Sequence, residues 1–216
     1  MNLRLAYTRD EEIKPLEPLL RGEIDNRGFN IELVKVSKED ELKFVIDKVD
    51  LAYVPLPVLN LIPQLKVISN GNYVVERLKL RIISNPVRKV LVPGSNSTEF
   101  YLVKMLYNNN VIPVLNGNYD AEVNYKEGEV GLDKLWSEKC ENLPLVLKVL
   151  ASKNLDESVL LEFKILVRES ASKMVERGEL NSFSKELGLK GRKALECFFN
   201  LCFQKNLCSN VSYYLI

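Results

Sequence analysis

The sequence contains no histidine. This removes the side chain whose ordinary pKa lies nearest neutrality, and with it the commonest general base and metal ligand. The four cysteines, Cys140, Cys197, Cys202 and Cys208, include no C-x-x-C pair. Cys197 and Cys202, five apart, would point about 140° away from each other on one helix. A zinc site is therefore not expected, and the cysteines read as small apolar residues of a C-terminal helix. Whether any of them pair as disulfides is left open. No apolar run approaches the roughly 18 residues of a membrane span. Arg9, Asp10, Glu11 and Glu12 follow the first short apolar stretch before a signal-peptide core could form. A trimmed leader aside, the expectation is a cytoplasmic protein. A charge excess is missing too: 30 basic residues stand against 29 acidic ones. That balance gives no electrostatic ground for nucleic acid or an anionic membrane as partner. No metal or cofactor is implied, and an oligomer is left open.

What is present is an alternation of strand-like and helix-like segments in 216 residues, 46% of them hydrophobic, enough for one large core or two small ones. Asn2–Tyr7 reads as a strand, Glu11–Arg21 as a helix ending near Gly22, and Phe29–Val36 as a second strand. Ser37 stands before Asp40 at the spacing of a capping box and opens a helix through Val45. Asp50–Val54 is a short buried strand, stopped by Pro55 and Pro57. From Tyr73 to Ser84 the pattern changes: Leu78, Leu80 and Ile82 alternate with Arg77, Lys79 and Arg81, the signature of a strand with one wet face, leaving a first lobe. A second α/β unit starts at Lys89–Val92 and continues through a helix over about 97–107 and strands at Val111–Leu115 and Asp120–Tyr125. Leu145–Leu150 reads as the return crossover, with helices over Asp156–Arg177 and Arg192–Gln204. The expected architecture is α/β, two-lobed, with mostly parallel sheets: residues 1–84 with 151–216 form one lobe, 85–150 the other, and a ligand cleft separates them.

The segment Pro93-Gly94-Ser95-Asn96-Ser97-Thr98 lies between a predicted strand and helix. A helix N-terminus exposes backbone amides and the positive end of the dipole, so it suits a carboxylate or phosphate. Gly94 permits close approach, and Ser95, Ser97 and Thr98 add hydroxyls. The plainer reading is that Asn96 or Ser97 caps the helix. Without Gly-Lys-Ser/Thr it is not a P-loop. Tyr7-Thr8-Arg9-Asp10, after the first strand, occupies the position where parallel sheets bind ligands, although Arg9 and Asp10 taken singly read as solvated charges. Phe183-Ser184-Lys185-Glu186-Leu187-Gly188-Leu189 superficially reads as helix-turn-helix. The helix after it, with Leu195, Phe198, Phe199 and Leu201, is too apolar for a DNA groove.

Together these segments resemble the solute-binding-like enzymes of the futalosine route to menaquinone, most of all dihydroxynaphthoate synthase and more distantly chorismate dehydratase. Leu19-Leu20-Arg21-Gly22-Glu23-Ile24 with Gly28-Phe29 is similar to the family's first helix and second strand, and Val49–Val54 to its third strand. Pro93–Thr98 is similar to its Pro-Gly-x-x-Thr-Thr turn, and Asp120-Ala121 through Lys126-Glu127-Gly128 to its Asp-Ala…His-Glu-Gly segment. Leu132–Trp136 with Asn142–Leu145 resembles its stretch from an acidic-Gly-Trp helix to Gly-Leu-Pro. The resemblance implies a type II periplasmic-binding-protein-like fold. It also implies ligand contacts at Tyr7 and Thr8, at Pro55 and Asn70, along Gly94, Ser95, Ser97 and Thr98, and at Lys126. The family's histidine base falls at Lys126, which at its ordinary pKa is protonated and suits a carboxylate better than proton abstraction. Enzymatic activity is therefore undecided. The reading is a binding protein for a small anionic, carboxylated metabolite. The alternative is a lyase or dehydratase acting on a chorismate-derived or futalosine-like substrate.

Overall fold

A computed structural model describes residues 1–209 and 211–216. β1 (Asn2–Tyr7) runs through a 3-10 turn (Asp10–Leu16) into α1 (Glu17–Leu20). The single helix expected over Glu11–Arg21 is broken because Pro15 lies inside it and Pro18 opens its second part. β2 (Asn30–Lys35) leads to α2 (Leu42–Val45), and β3 (Leu51–Pro55) to α3 (Leu56–Leu61). The long β4 (Leu65–Val75) is followed by β5 (Lys79–Ile82) and β6 (Lys89–Leu91). Next come α4 (Thr98–Leu106), β7 (Ile112–Val114), β8 (Ala121–Asn124), β9 (Val130–Gly131) and α5 (Leu132–Lys139). The chain ends with β10 (Leu145–Ser152), α6 (Glu157–Glu176), α7 (Ser182–Lys185), α8 (Gly188–Gln204) and β11 (Tyr213–Leu215).

These strands form two sheets, ordered β11-β4-β10-β3-β1-β2 and β7-β6-β8-β5-β9. Both are mixed rather than mostly parallel, because β10 is antiparallel to β3 and β4, and β5 to β8 and β9. The chain changes sheets earlier than the sequence pattern suggests. β5 belongs wholly to the second sheet, so residues 79–82 leave the lobe to which they were expected to belong. β10 lies wholly in the first, where every residue from Leu145 to Ser152 is buried between β3 and β4. Alternation identified β5 as a strand, but only its partners β8 and β9 decide its sheet.

One apolar core runs through the seam between the sheets. Leu56, Val58 and Leu147 share it with Leu80, Val90, Leu102 and Val103 of the second sheet and its helix. A separate cluster beneath α6 packs Leu3, Leu5, Tyr53, Ile68, Phe163 and Val167. α8 buries Leu195, Phe198 and Cys202, consistent with a core helix and not with a groove reader. The cysteines pair as Cys140–Cys197 and Cys202–Cys208. The first joins the end of α5, beside the second sheet, to α8, and β11 then returns the chain to the edge of the first sheet. Among the described residues, no helix is long and apolar enough to cross a membrane.

Candidate functional site

The carboxyl end of β1, the start of α4 and the middle of β10 meet in a buried charge cluster at the seam. Lys148 interrupts the apolar run of β10, and its ammonium is fully buried. It lies 2.5 Å from Glu12 Oε1 and 2.7 Å from Glu39 Oε2, and it donates to Thr8 Oγ1 at 2.7 Å. Glu12 also accepts from the Thr8 amide and hydroxyl, at 3.0 and 2.8 Å. A buried lysine persists only with such partners, because desolvating an unpaired ammonium costs several kcal/mol.

Arg9 carries the cluster across the seam. Its guanidinium donates to Glu99 Oε1 of α4 at 2.8 Å and to the Tyr125 hydroxyl. Its carbon lies 5.2 Å from the ring centre of Tyr73 on β4 and 5.1 Å from that of Tyr125, just beyond β8. Tyr125 in turn donates to Glu99 Oε1 at 2.6 Å. Three carboxylates thus face two cations, and the shortage of positive charge falls on Glu39 and Glu99. Both Glu39 oxygens and Glu99 Oε2 are buried without a hydrogen-bond donor of good geometry. Burial pushes the Glu39 carboxyl up to about 7, with Lys148 and Arg9 opposing and Glu99 reinforcing the shift. Burial also resists ionisation of Glu99, but Arg9, Tyr125 and Lys148 prevail and hold it below the usual range. Burial raises Tyr73 to about 12 and Tyr125 well above the usual phenol value. Burial would lower the Arg9 pKa, but Glu99 and the two tyrosines outweigh it, so Arg9 stays charged.

The two tyrosines that clasp Arg9 also line a cavity of about 510 Å³. Asn72 and Pro15 form part of its wall, Lys14, Glu76 and Arg77 add charges, and Leu180, Asn181 and Ser184 close it from the α6–α7 side. That volume lies within the range of small-molecule sites.

The residues singled out from sequence have different settings. Thr8 is in the charge cluster. Tyr7 packs in the core beneath α6, with Lys35 over its ring. Pro55 is buried at the end of β3, paired in register with Lys148. Asn70 is turned to α7, where its Nδ2 donates to the Lys185 carbonyl at 2.8 Å. The Gly94–Ser95–Asn96 turn does receive a carboxylate, but it is the protein's own Asp40: the Ser95 amide, the Ser95 hydroxyl and the Asn96 amide donate to it at 2.9, 2.7 and 3.1 Å. Asp40 therefore does not complete a capping box with Ser37, and the helix there starts at Glu39 as a 3-10 turn without a side-chain cap. Ser97 caps α4 by accepting from the Phe100 amide. Thr98 is fully buried, accepting from the Leu56 amide and donating to the Leu147 carbonyl. Lys126 is exposed beyond β8, in a turn whose amides bond to the Asn124 side chain. Its neighbour Tyr125 faces inward instead.

Glu12, Glu39, Glu99, Lys148 and Asn72 escaped the sequence reading. Lys148 alone carried a signal there, a lysine inside Leu145-Val146-Leu147-Lys148-Val149-Leu150. Among the described residues, no cluster of three or more acidic, cysteine or histidine side chains is placed to hold a metal.

No protein-family model matches the chain, and no curated protein matches its sequence. Solved structures do match its fold. Protein AF1704 from Archaeoglobus fulgidus superposes with a TM-score of 0.81 at 19% identity, over 95% of this chain and 98% of that one. The ligand-binding component of an ABC-type import system from Staphylococcus aureus, solved with zinc bound, gives 0.66 at 9% identity, over 98% and 94%. The CA3427 gene product of Candida albicans, described as having the generic periplasmic binding protein fold, gives 0.59 at 13% identity, over 100% and 98%. The chain has this two-lobed α/β fold with mixed sheets.

Proposed function

We propose that the protein binds a small carboxylated molecule in the cavity beside Tyr73 and Tyr125, without chemistry of its own. The observation that carries this reading is the cavity itself, lined by Tyr73 and Tyr125 with the cations Lys14 and Arg77 beside them. Arg9 is already committed to Glu12, Tyr125 and Glu99, and Glu12, Glu39, Glu99 and Lys148 are closed off from solvent. Lys14 and Arg77 in the lining offer cations to a carboxylate, and two aromatic rings suit a flat ligand body. The turn at Gly94–Asn96 is not the ligand's anion site in this reading, because Asp40 already satisfies it.

Kinship with the menaquinone-route enzymes remains part of the proposal, supported by the order of the matching segments. An exposed Lys126 weighs against catalysis through that position, and Tyr125 is the group an enzymatic reading would have to use. A cytoplasmic location remains a proposal too. The two disulfides call for an oxidising compartment or an organism that keeps disulfides inside the cell. Thermal-shift titration of carboxylated metabolites against their amides tests the binding reading, with mass spectrometry of each hit after incubation. Carboxylates that stabilise and are recovered unchanged support it. Stabilisation by the amides or by amines alone overturns it, and turnover replaces it with the enzymatic alternative.

A further inference from the structure

β4 is interrupted where it passes the cavity. Its register with β10 jumps from Leu150–Ile68 to Lys148–Tyr73, so Ser69 to Asn72 bulge out of the ladder. The backbone of Ser69 bonds elsewhere, its amide to the Ile216 carbonyl and its carbonyl to the Leu187 amide. Gly71 makes the bulge feasible. Its φ is +73°, and a Cβ there would come within 2.4 Å of Val167 Cγ1, so no other residue fits without displacement. The bulge brings Asn72 to the cavity wall.

Asn72 is fully buried, and its Oδ1 accepts from the Leu150 amide at 3.4 Å. That bond fixes the orientation of the amide, since a flipped group would set two donors against each other. Nδ2 is left as a buried donor without a partner. Buried donors are satisfied in the great majority of native structures, because an unmet one costs about 1–3 kcal/mol. Here the unmet donor belongs to a residue of the cavity wall, next in sequence to the tyrosine that stacks on Arg9.

We propose that Asn72 is a specificity-determining residue: its Nδ2 donates to a carbonyl-type oxygen of the ligand, separate from the carboxylate assigned to the lining cations Lys14 and Arg77. The ligand class is then a flat oxo-acid, carrying one carboxylate and one further carbonyl oxygen. This inference rests on the binding reading above and adds to it a second point of recognition. A ligand lacking that oxygen leaves the donor buried and unpaired, which is the strongest form of discrimination a polar site offers.

The test uses matched pairs of aryl carboxylates on the intact protein, among them the ortho, meta and para isomers of acetylbenzoate against those of ethylbenzoate. Binding is followed by NMR shifts of the Val74 and Val75 methyl groups, which line the cavity. The oxygen-bearing member of a pair is expected to bind about tenfold more tightly. In Asn72→Asp, which keeps the acceptor for Leu150 and removes the donor, that preference is lost. Asn72→Leu repeats the comparison without added charge. Pairs that bind alike to the parent, or a preference that survives both variants, overturn the role of Asn72 and leave the binding reading standing. If no carboxylate of either kind moves the cavity methyls, the binding reading falls and this inference with it.

Discussion

The turn at Gly94–Asn96 and the cavity wall at Asn72 invite comparison, because both present hydrogen-bond donors at the seam between the sheets. The turn has its anion: Asp40 reaches from the β2–β3 connection and takes two amides and a hydroxyl. The wall has none, since Asn72 Nδ2 is buried and unmatched. A helix start attracts carboxylates whoever supplies them, so such a motif in a sequence signals an anion but not its source. Unmet donors are the better guide to a ligand, and they are visible only once every internal partner has been placed. Between the two regions lies the charge cluster, in which internal partners are too few for the carboxylates present.

The largest effect should come from breaking that cluster. Lys148→Met removes the cation shared by Glu12 and Glu39 and leaves both carboxylates buried. A loss of about 3–5 kcal/mol in denaturant unfolding is expected, with the midpoint moving at little change in slope. A variant as stable as the parent would show that Arg9 alone balances the site.

The pH dependence sharpens the same point. Glu39 has a raised folded pKa, about 7 against a reference of 4.5. Between those values the folded state holds more protons than the unfolded chain, so stability falls as pH rises through this window. Glu99 is depressed, so its contribution is present above 4.5 and is lost as pH falls through its folded pKa. The stability curve should therefore peak near the carboxylate range and decline on both sides. Glu39→Gln should remove the alkaline decline and raise stability at pH 8 by on the order of 2 kcal/mol. A flat profile in the parent from pH 5 to 8 would contradict this.

Asp40→Ala tests the satisfied region. It empties the turn at Ser95 and Asn96, for an expected loss of about 1–2 kcal/mol and faster hydrogen exchange at those two amides. Unchanged exchange would mean that water replaces the carboxylate equally well. The smallest effect is expected at Lys126, where Lys126→Met should alter neither melting temperature nor affinity for any carboxylate. A loss of affinity there, reversed by added salt, would return the site to the position the resemblance suggested.

Lys126 and Asn70 show how close the sequence reading came and why it stopped short. Tyr125 is one residue from Lys126, and Asn72 is two from Asn70. In a regular strand a displacement of two keeps a side chain on the same face, but the bulge at Gly71 breaks that rule. Asn70 therefore turns to α7, whereas Asn72 accepts from the Leu150 amide and forms part of the cavity wall. Just beyond β8, the last inward position falls at Tyr125, and the chain has already turned outward at Lys126.

Apart from β4, β9 and β11, the sequence by itself determined the strands, together with most of the long helices, the α/β alternation, the burial of α8 and, as one of two readings of its start, a cap on α4 from Asn96 or Ser97. All of these follow from local periodicity and from chemistry within a few residues. Tertiary structure alone decided that β5 and β10 exchange sheets, that Asp40 fills the turn, and that Glu12, Glu39, Glu99, Arg9 and Lys148 converge. Each of those outcomes depends on groups far apart in the chain. Arg9 and Glu99 are 90 residues apart, and Lys148 and Glu12 are 136 apart. A buried charge is tolerated only where its partner arrives, and the place of that arrival is set by the packing of the whole chain.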